Sequence, residues 1–433
     1  MPAPNRLSSS SPYWARSAAS NVARVLATDV VVVGGGPAGA AAAITLARAG
    51  RDVVVIDKAR FPRDKCCGDG LTAEALRLLQ HLGLDPSAVS SWQTVDDVVV
   101  RSPSGRTTVF PLPRHEGLFA AVARRTDLDS ALLDVARAAG AKVLDGHALL
   151  SARQQHDRVI AEVAGLGDVH ARYAIGADGA WSPLRKALGA AVPGYLGEWH
   201  AFRQYFAGVG PAARQLWVWF EPDLLPGYAW SFPLPDGRAN VGFGIQRSDL
   251  HRAGRIDRVQ AMKDVWPELL ARPHVRAVLG SDARAEAPHR AWPIPARIDG
   301  ISLLSGRALF VGDAAGATDP LTGEGIAQAL LTGLLAANAI DDGGPNDASR
   351  VAARYESGVR RELFADHRMS RVLIRAVRHR RGARAGLRLA GATPWTRRNF
   401  GRWLFEGYPR ALLATPERWH RGMFTEPGAY RSS

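Results

Sequence analysis

The stretch from Asp29 to Gly39 reads Asp-Val-Val-Val-Val-Gly-Gly-Gly-Pro-Ala-Gly and constrains the chain more than any other. Four consecutive valines predict a short buried strand. Gly34, Gly36 and Gly39 set out a G-x-G-x-x-G turn that encloses Pro37 and Ala38, and the small residues from Ala40 to Ala49 predict a helix. The first glycine permits the tight turn, the second lets backbone approach a pyrophosphate, and the third lets helix and strand pack closely. Free N–H groups and the positive dipole at the helix start suit an anion there. A second strand, Asp52 to Ile56, ends in Asp57 and Lys58. An acid roughly 20 residues beyond the glycines is the position that bonds a ribose hydroxyl. Strand, turn, helix, strand and acid in this order predict a dinucleotide-binding α/β unit.

With 433 residues the chain is long enough for two or three structural units. The only cysteines, Cys66 and Cys67, are adjacent, so no disulfide framework is expected, as in a reducing cytosol. No apolar run approaches the roughly 18 residues of a spanning helix. Residues 1–27 contain Arg6, Arg16 and Arg24 with no acid and no apolar signal core, and read as a flexible extension. Lysine accounts for only 5 of the 55 basic residues, the arginine skew of a GC-rich bacterial genome. The net charge of +14 is concentrated at one end: from Gly358 to Ser433 there are 17 Arg against 5 acids. No recognition motif accompanies that charge, so a nucleic-acid partner is not expected. Nor is a metal site.

Further along, Phe61-Pro-Arg-Asp-Lys-Cys-Cys-Gly-Asp-Gly70 predicts an ordered loop that must pass near the cofactor. Asp97 to Val100 and Thr107 to Phe110 read as a hairpin, and Arg125 opens a helix running to about Ala139. From Ala190 to about Arg297, aromatic-rich strands alternate with prolines, as in a separate antiparallel sheet. The expected architecture is a Rossmann-type domain (28–90, 119–189 and 300–345) with an inserted antiparallel sheet domain (91–118 and 190–299). A basic helical C-terminal region (346–433) completes it.

Gly176-Ala-Asp178-Gly179, followed by Ser182 and Arg185, is similar to the second cofactor signature of glutathione-reductase-type flavoproteins. Gly312-Asp313, after an apolar strand, resembles their third, in which the aspartate bonds the ribityl chain of FAD. Arg125, in Arg-x-x-Leu-Asp, matches another cofactor contact of that class. These resemblances imply FAD. Gly323 and Gly325 precede a helix starting near Ile326, whose N-terminus would favour an anionic reduced ring.

Tyr228-Ala-Trp230-Ser-Phe232-Pro233, eight residues, then Gly242-Phe-Gly244 resembles the YxWxFP…GxG motif of the geranylgeranyl reductase family. The loop around Cys67, Gly68 and Gly70 is similar to that family's N-terminal cysteine loop. Among its subgroups the chain looks most like the actinobacterial reductases acting on the isoprenyl tail of menaquinone. The resemblance implies saturation of isolated C=C bonds in an isoprenoid chain, with hydride from reduced flavin and a proton from Cys67, Tyr228 or water.

Strand alternation puts Tyr228, Trp230 and Phe232 on one face, an apolar wall suited to a prenyl chain or, on the blander reading, ordinary sheet core. Cys67 is either a proton donor or a small filler beside the cofactor. No second glycine fingerprint follows a strand, so the electron donor, NADPH or a ferredoxin-like carrier, is expected to dock from outside. Arg371, Arg375 and Arg378, with Trp395, Phe400, Trp403 and Phe405, suit either a headgroup interface or a packed helical layer. The first of these implies a cytoplasmic protein peripheral to the inner face of the plasma membrane. A flavin monooxygenase or halogenase is the competing class, with Lys65 as the candidate lysine.

Overall fold

The valine run becomes a central strand, Leu26–Val33, of a largely parallel sheet. Its neighbours are Val53–Asp57 on one side and Gly167–Gly176 on the other, with Lys142–Asp145 and Ala308–Phe310 flanking them in parallel register. Val30, Val31 and Val32 are fully buried, so both faces of the strand are covered, in part by helices, and no solvent side is left to alternate with. Chief among them is the fingerprint helix Pro37–Arg48, packed on Ile326–Gly343 and Arg125–Ala138. The run Ala40–Ala43 has no exposure, and small side chains are what permit that approach. The computed structural model describes residues 26–247, 258–405 and 410–431. The expected N-terminal extension lies, up to residue 25, outside the described residues, and regular strand already begins at Leu26.

The inserted sheet runs in the order Arg284–Ala285, Trp199–Ala207, Arg238–Gln246, Tyr228–Leu234, Leu216–Trp219, Asp97–Arg101, Thr107–Pro111, with Arg290–Ile294 beside Trp199–Ala207. It is antiparallel except at one seam, where Leu216–Trp219 runs parallel to Asp97–Arg101. The parallel pair arises because the 97–111 hairpin joins from a distant part of the chain rather than by a tight turn. One face of Tyr228–Leu234 packs Ala229 into a core with Phe243 and Trp266, and the other carries Tyr228, Trp230 and Phe232. Gly70–Thr72, Ala120–Val122 and Gln93–Thr94 form a small third sheet at the junction.

Downstream, Ala348–Val359 passes through a π-turn at Arg360–Phe364 into Ala365–Val377, followed by Arg380–Ala390 and Pro394–Phe405. These helices are not a detached layer: Phe400 packs on Phe110 with ring centroids 5.1 Å apart, and Leu387 and Ala390 join the core under the inserted sheet. Among the described residues no helix is long and apolar enough to cross a membrane.

Candidate active site

At Gly34 the backbone turns with φ +108°, and a Cβ there would lie 2.3 Å from the carbonyl oxygen of Ala177. The first turn and the Gly176–Gly179 turn therefore touch through bare backbone. Asp57 holds the turn closed, since its carboxylate accepts the Gly35 and Ala59 N–H groups, each at 2.8 Å. The helix that starts at Pro37 has no side-chain cap. Over its start stand two guanidinium groups: a Cβ at Gly36 would lie 3.5 Å from Arg63 Nη2 and 3.7 Å from Arg125 Nη2. Both arginines are fixed by buried Asp129, Arg125 through bonds of 2.7 and 2.8 Å and Arg63 at 3.0 Å. Bare glycine backbone, free N–H groups and two cations form a cradle that fits a pyrophosphate.

The rest of the cradle fits the remainder of FAD. Asp313 accepts the Thr318 hydroxyl at 3.3 Å and lies 3.9 Å from Lys65 Nζ. Lys65 also stands 3.7 Å over the Trp292 ring, and burial lowers its pKa to about 8 against the pull of Asp313. The helix Ile326–Gly343 begins at Gly325 without a side-chain cap, so its first N–H groups face the cavity that Gly325 and Ile326 line. Asp178 lines the same space, but its carboxylate serves its own turn. It accepts the Ser182 hydroxyl at 2.6 Å and the Leu184 N–H at 2.7 Å, and burial raises its pKa to about 6.

From this cradle one cavity of about 1260 Å³ continues past the cysteine loop and the aromatic strand to Leu373, Val377, Leu387 and Phe400 of the C-terminal helices. Single-ligand pockets hold roughly 300–1,000 Å³. The space therefore suits a dinucleotide together with a second, largely apolar ligand.

The cysteine loop lies against the aromatic strand. A Cβ at Gly68 would come 3.4 Å from Phe232, and one at Gly242 would come 2.4 Å from Trp230 Cζ2, so the indole rests on bare glycine. Asn240 ties the two together. It accepts the Trp230 indole N–H at 3.0 Å and donates to the Cys67 carbonyl and to Asp69 Oδ2, both at 2.8 Å. Asp69 also accepts the Tyr205 hydroxyl at 2.6 Å, and its own N–H points at Cys67 Sγ at 3.4 Å. Burial raises the Cys67 thiol's pKa although Arg125 is nearby, so the thiol stays protonated at neutral pH. Burial likewise lifts Cys66 to about 11, and both cysteines are free. The Tyr228 hydroxyl donates to the Thr322 carbonyl, and burial raises its pKa.

Residues 27–222 match the FAD binding domain family model. Over 351 residues the chain is 36% identical to a menaquinone reductase of Mycolicibacterium smegmatis, covering 74% of this chain and 78% of that one. A digeranylgeranylglycerophospholipid reductase of Methanopyrus kandleri is 30% identical over 348 residues, 76% of this chain and 82% of its own. The chain belongs to the geranylgeranyl reductase family of FAD-dependent oxidoreductases. The fold agrees. A geranylgeranyl bacteriochlorophyll reductase-like structure from Thermoplasma acidophilum superposes with a TM-score of 0.75 at 21% identity, over 91% of this chain and 100% of that one. The reaction of this family member is FAD-dependent reduction of isoprenoid C=C bonds.

The fold thus brings Gly34, Gly36, Pro37, Ala38, Asp57, Lys58, Cys67, Gly68, Arg125, Asp178, Gly312, Asp313, Gly323, Gly325 and Ile326 to one cavity, together with Tyr228, Trp230 and Phe232. Gly39 lies behind it, packed on the Gly34 carbonyl. Sequence reasoning missed Arg63, Asp69, Tyr205 and Asn240 as functional positions. Arg63 and Asp69 lie inside the cysteine-loop motif, and their place in that motif was the available signal. Asn240, inside the eight-residue gap between Pro233 and Gly242, carried none.

Proposed function

We propose that the chain saturates a double bond in the isoprenoid tail of a menaquinone. One observation carries the reading: the glycine cradle and the aromatic wall open into the same cavity. The menaquinone assignment is supported by the relative that bears that name. When bound and reduced, FAD supplies the hydride. The chain's own residues do the rest. Gly34–Gly39, Arg63 and Arg125 bind the pyrophosphate, Asp57 and Asp313 orient the ribose and ribityl ends, and the Ile326 helix start favours negative charge on the ring. Trp230 and Phe232, with Tyr228 at their end, hold the prenyl chain by apolar contact and exclude water. Cys67 keeps a proton at Sγ beside the reacting bond. An isolated alkene is a poor electrophile, so that proton matters as much as the hydride.

The reductant is an external donor, NADPH or a ferredoxin-like carrier. The protein works from the cytoplasmic side, at the membrane surface. Helix Arg380–Ala390 supports this. Its inner residues Ala383 and Leu387 line the cavity, while exposed Arg380, Arg381 and Arg388 have no ion-pair partner among the described residues. Leu389 and Trp395 add apolar groups that are 72% and 68% exposed. A basic face with apolar anchors, backed by a lipid-sized chamber, suits an anionic bilayer. Trp403 and Phe405 lie in a part of the helix whose side chains are outside the described residues.

The test is mass spectrometry of menaquinone incubated with FAD-loaded, dithionite-reduced protein. A gain of two hydrogens per bond supports the reading. Failure with every prenyl quinone, diphosphate and lipid offered overturns it. Cys67→Ser is expected to keep FAD and slow the single turnover on the order of 10²-fold, the usual share of a placed acid.

A further inference from the structure

Alkene saturation consumes a proton inside a chamber built to exclude water, so the proton needs a route. The two candidate proton donors are poor suppliers, because burial makes both the Cys67 thiol and the Tyr228 hydroxyl weaker acids than usual. A thiol that has given up its proton must be recharged.

A second, small cavity of about 40 Å³ meets the main one, and Thr72 and Glu324 line both. Its volume exceeds the roughly 10–15 Å³ that a water needs. Gln328 Oε1, in its wall, is fully buried with no protein partner, which is the mark of a water site. Thr72 and Glu324 are hydrogen-bonded to each other. On the far side stand Glu362, Asp366 and Arg418, with side chains 24%, 18% and 12% exposed, where solvent begins.

The charges around this cavity do not balance. Among the described residues lining it, Glu74, Asp319, Glu324, Glu362 and Asp366 face two guanidinium groups, Arg410 and Arg418; Arg361 pairs with Glu362 from outside the cavity, and buried His367 is held neutral by its desolvation. Arg410 pairs with Asp319 and lies 3.7 Å from Glu324 Oε2, while Arg418 is taken by Glu362 and Asp366. That leaves Glu74 and Glu324 with less than one cation between them, and like charges so placed retain a proton. Burial, with Glu324 second, raises Glu74 to about 7, and burial raises Glu324 as well.

We propose that the Glu74–Glu324 carboxyl pair is the proton inlet of the active site, passing protons from the Glu362–Asp366 rim to the main cavity at the Thr72 hydroxyl. The balance is simple. Saturating one bond forms two C–H bonds, one from the hydride with the electron pair that reduced FAD loses, the other from a proton. Solvent replaces that proton through the pair. Thr72 ends the strand Gly70–Thr72 that continues the Cys67 loop, so the inlet opens into the cavity that the candidate proton holder also lines. The inference rests on the reductase reading above.

The test uses full-length, FAD-loaded protein. Glu324→Gln keeps the shape and the bond to Thr72 but cannot pass a proton. Expected are unchanged FAD affinity, a single-turnover rate lowered on the order of 10²-fold, and loss of the wild-type fall in rate as pH rises through about 7. An enlarged solvent deuterium effect and partial rescue by imidazole or by Glu324→Asp complete the signature. Thr72→Ser should behave as wild type and Thr72→Val as Glu324→Gln. Without any substrate, infrared titration should show a protonated carboxyl band that disappears near pH 7 and is missing in Glu74→Gln. Unchanged rate, pH profile and isotope effect in Glu324→Gln overturn the inlet, as does absence of that band. Wild-type protein that saturates no prenyl chain overturns instead the reading on which the inlet rests.

Discussion

At Gly34 and Gly36 the cavity wall is backbone, and at Gly34 nothing else would fit: the Ala177 carbonyl stands where a side chain would begin. At Trp230 the wall is side chain, held in place by one amide, Asn240, that reaches two other stretches of chain. The first region is backbone set against backbone, Gly34 on Ala177, while the second hangs on one side chain, Asn240, that reaches a carbonyl 173 positions away. A backbone-built site has one way to fail, loss of the turn, and fails completely. A side-chain-built site degrades by steps, which makes it the half in which substrate choice can drift while the cofactor stays the same.

The comparison breaks most visibly at the turn. Gly34→Val should purify without flavin absorbance and with reduced yield, and native FAD affinity in that variant would contradict a backbone-built cradle. Next comes Asn240→Leu, of similar volume, which strands the Trp230 N–H and the Cys67 carbonyl and leaves Asp69 Oδ2 only its bond from Tyr205. A loss of about 3 kcal/mol in urea unfolding is expected, with FAD still bound. If FAD is lost as well, the two regions are one unit.

A gentler probe is pH. Asp69 is fully buried, and burial raises its pKa to about 6 despite the bonds from Tyr205 and Asn240. A carboxyl raised on folding stabilises below its unfolded pKa of about 4, and that contribution is lost as pH climbs through about 6. Asp69→Asn should remove up to about 3 kcal/mol of that decline between pH 4 and 7. Asp178 and Glu74 keep part of the slope, since both are raised in the same sense. The smallest effect belongs to the outer surface. Arg381→Gln with Arg388→Gln should weaken binding to anionic vesicles by about 2 kcal/mol at low salt, roughly 30-fold, with no change in FAD content.

Legibility follows the same division. The strand–turn–helix at Val30–Ile44, the Gly312–Asp313 turn and the Ile326 helix could be read directly, because glycines, valines and spacing specify local backbone. The aromatic strand was readable as one face by alternation. Its partner surface was not, because nothing in the sequence says that Gly68 lies on Phe232 or that Asn240 bonds the Cys67 carbonyl. The C-terminal helices were read from their arginines. Their inward faces went unseen because small residues such as Ala383 and Ala390 give a weak apolar signal amid so much charge. Arg410, inserted between Asp319 and Glu324, looked like one more basic residue of a tail.

The undivided cavity has a thermodynamic consequence. On the proposed function cofactor and prenyl chain would share its walls, so the seated dinucleotide would become part of the surface on which the lipid lies. Each must then change the other's binding free energy by the same amount. Flavin-depleted protein should be a poor lipid binder, and protein holding a lipid should let its flavin go slowly. Loading is therefore ordered in effect without any gate: a lipid that arrives first finds a room missing one wall.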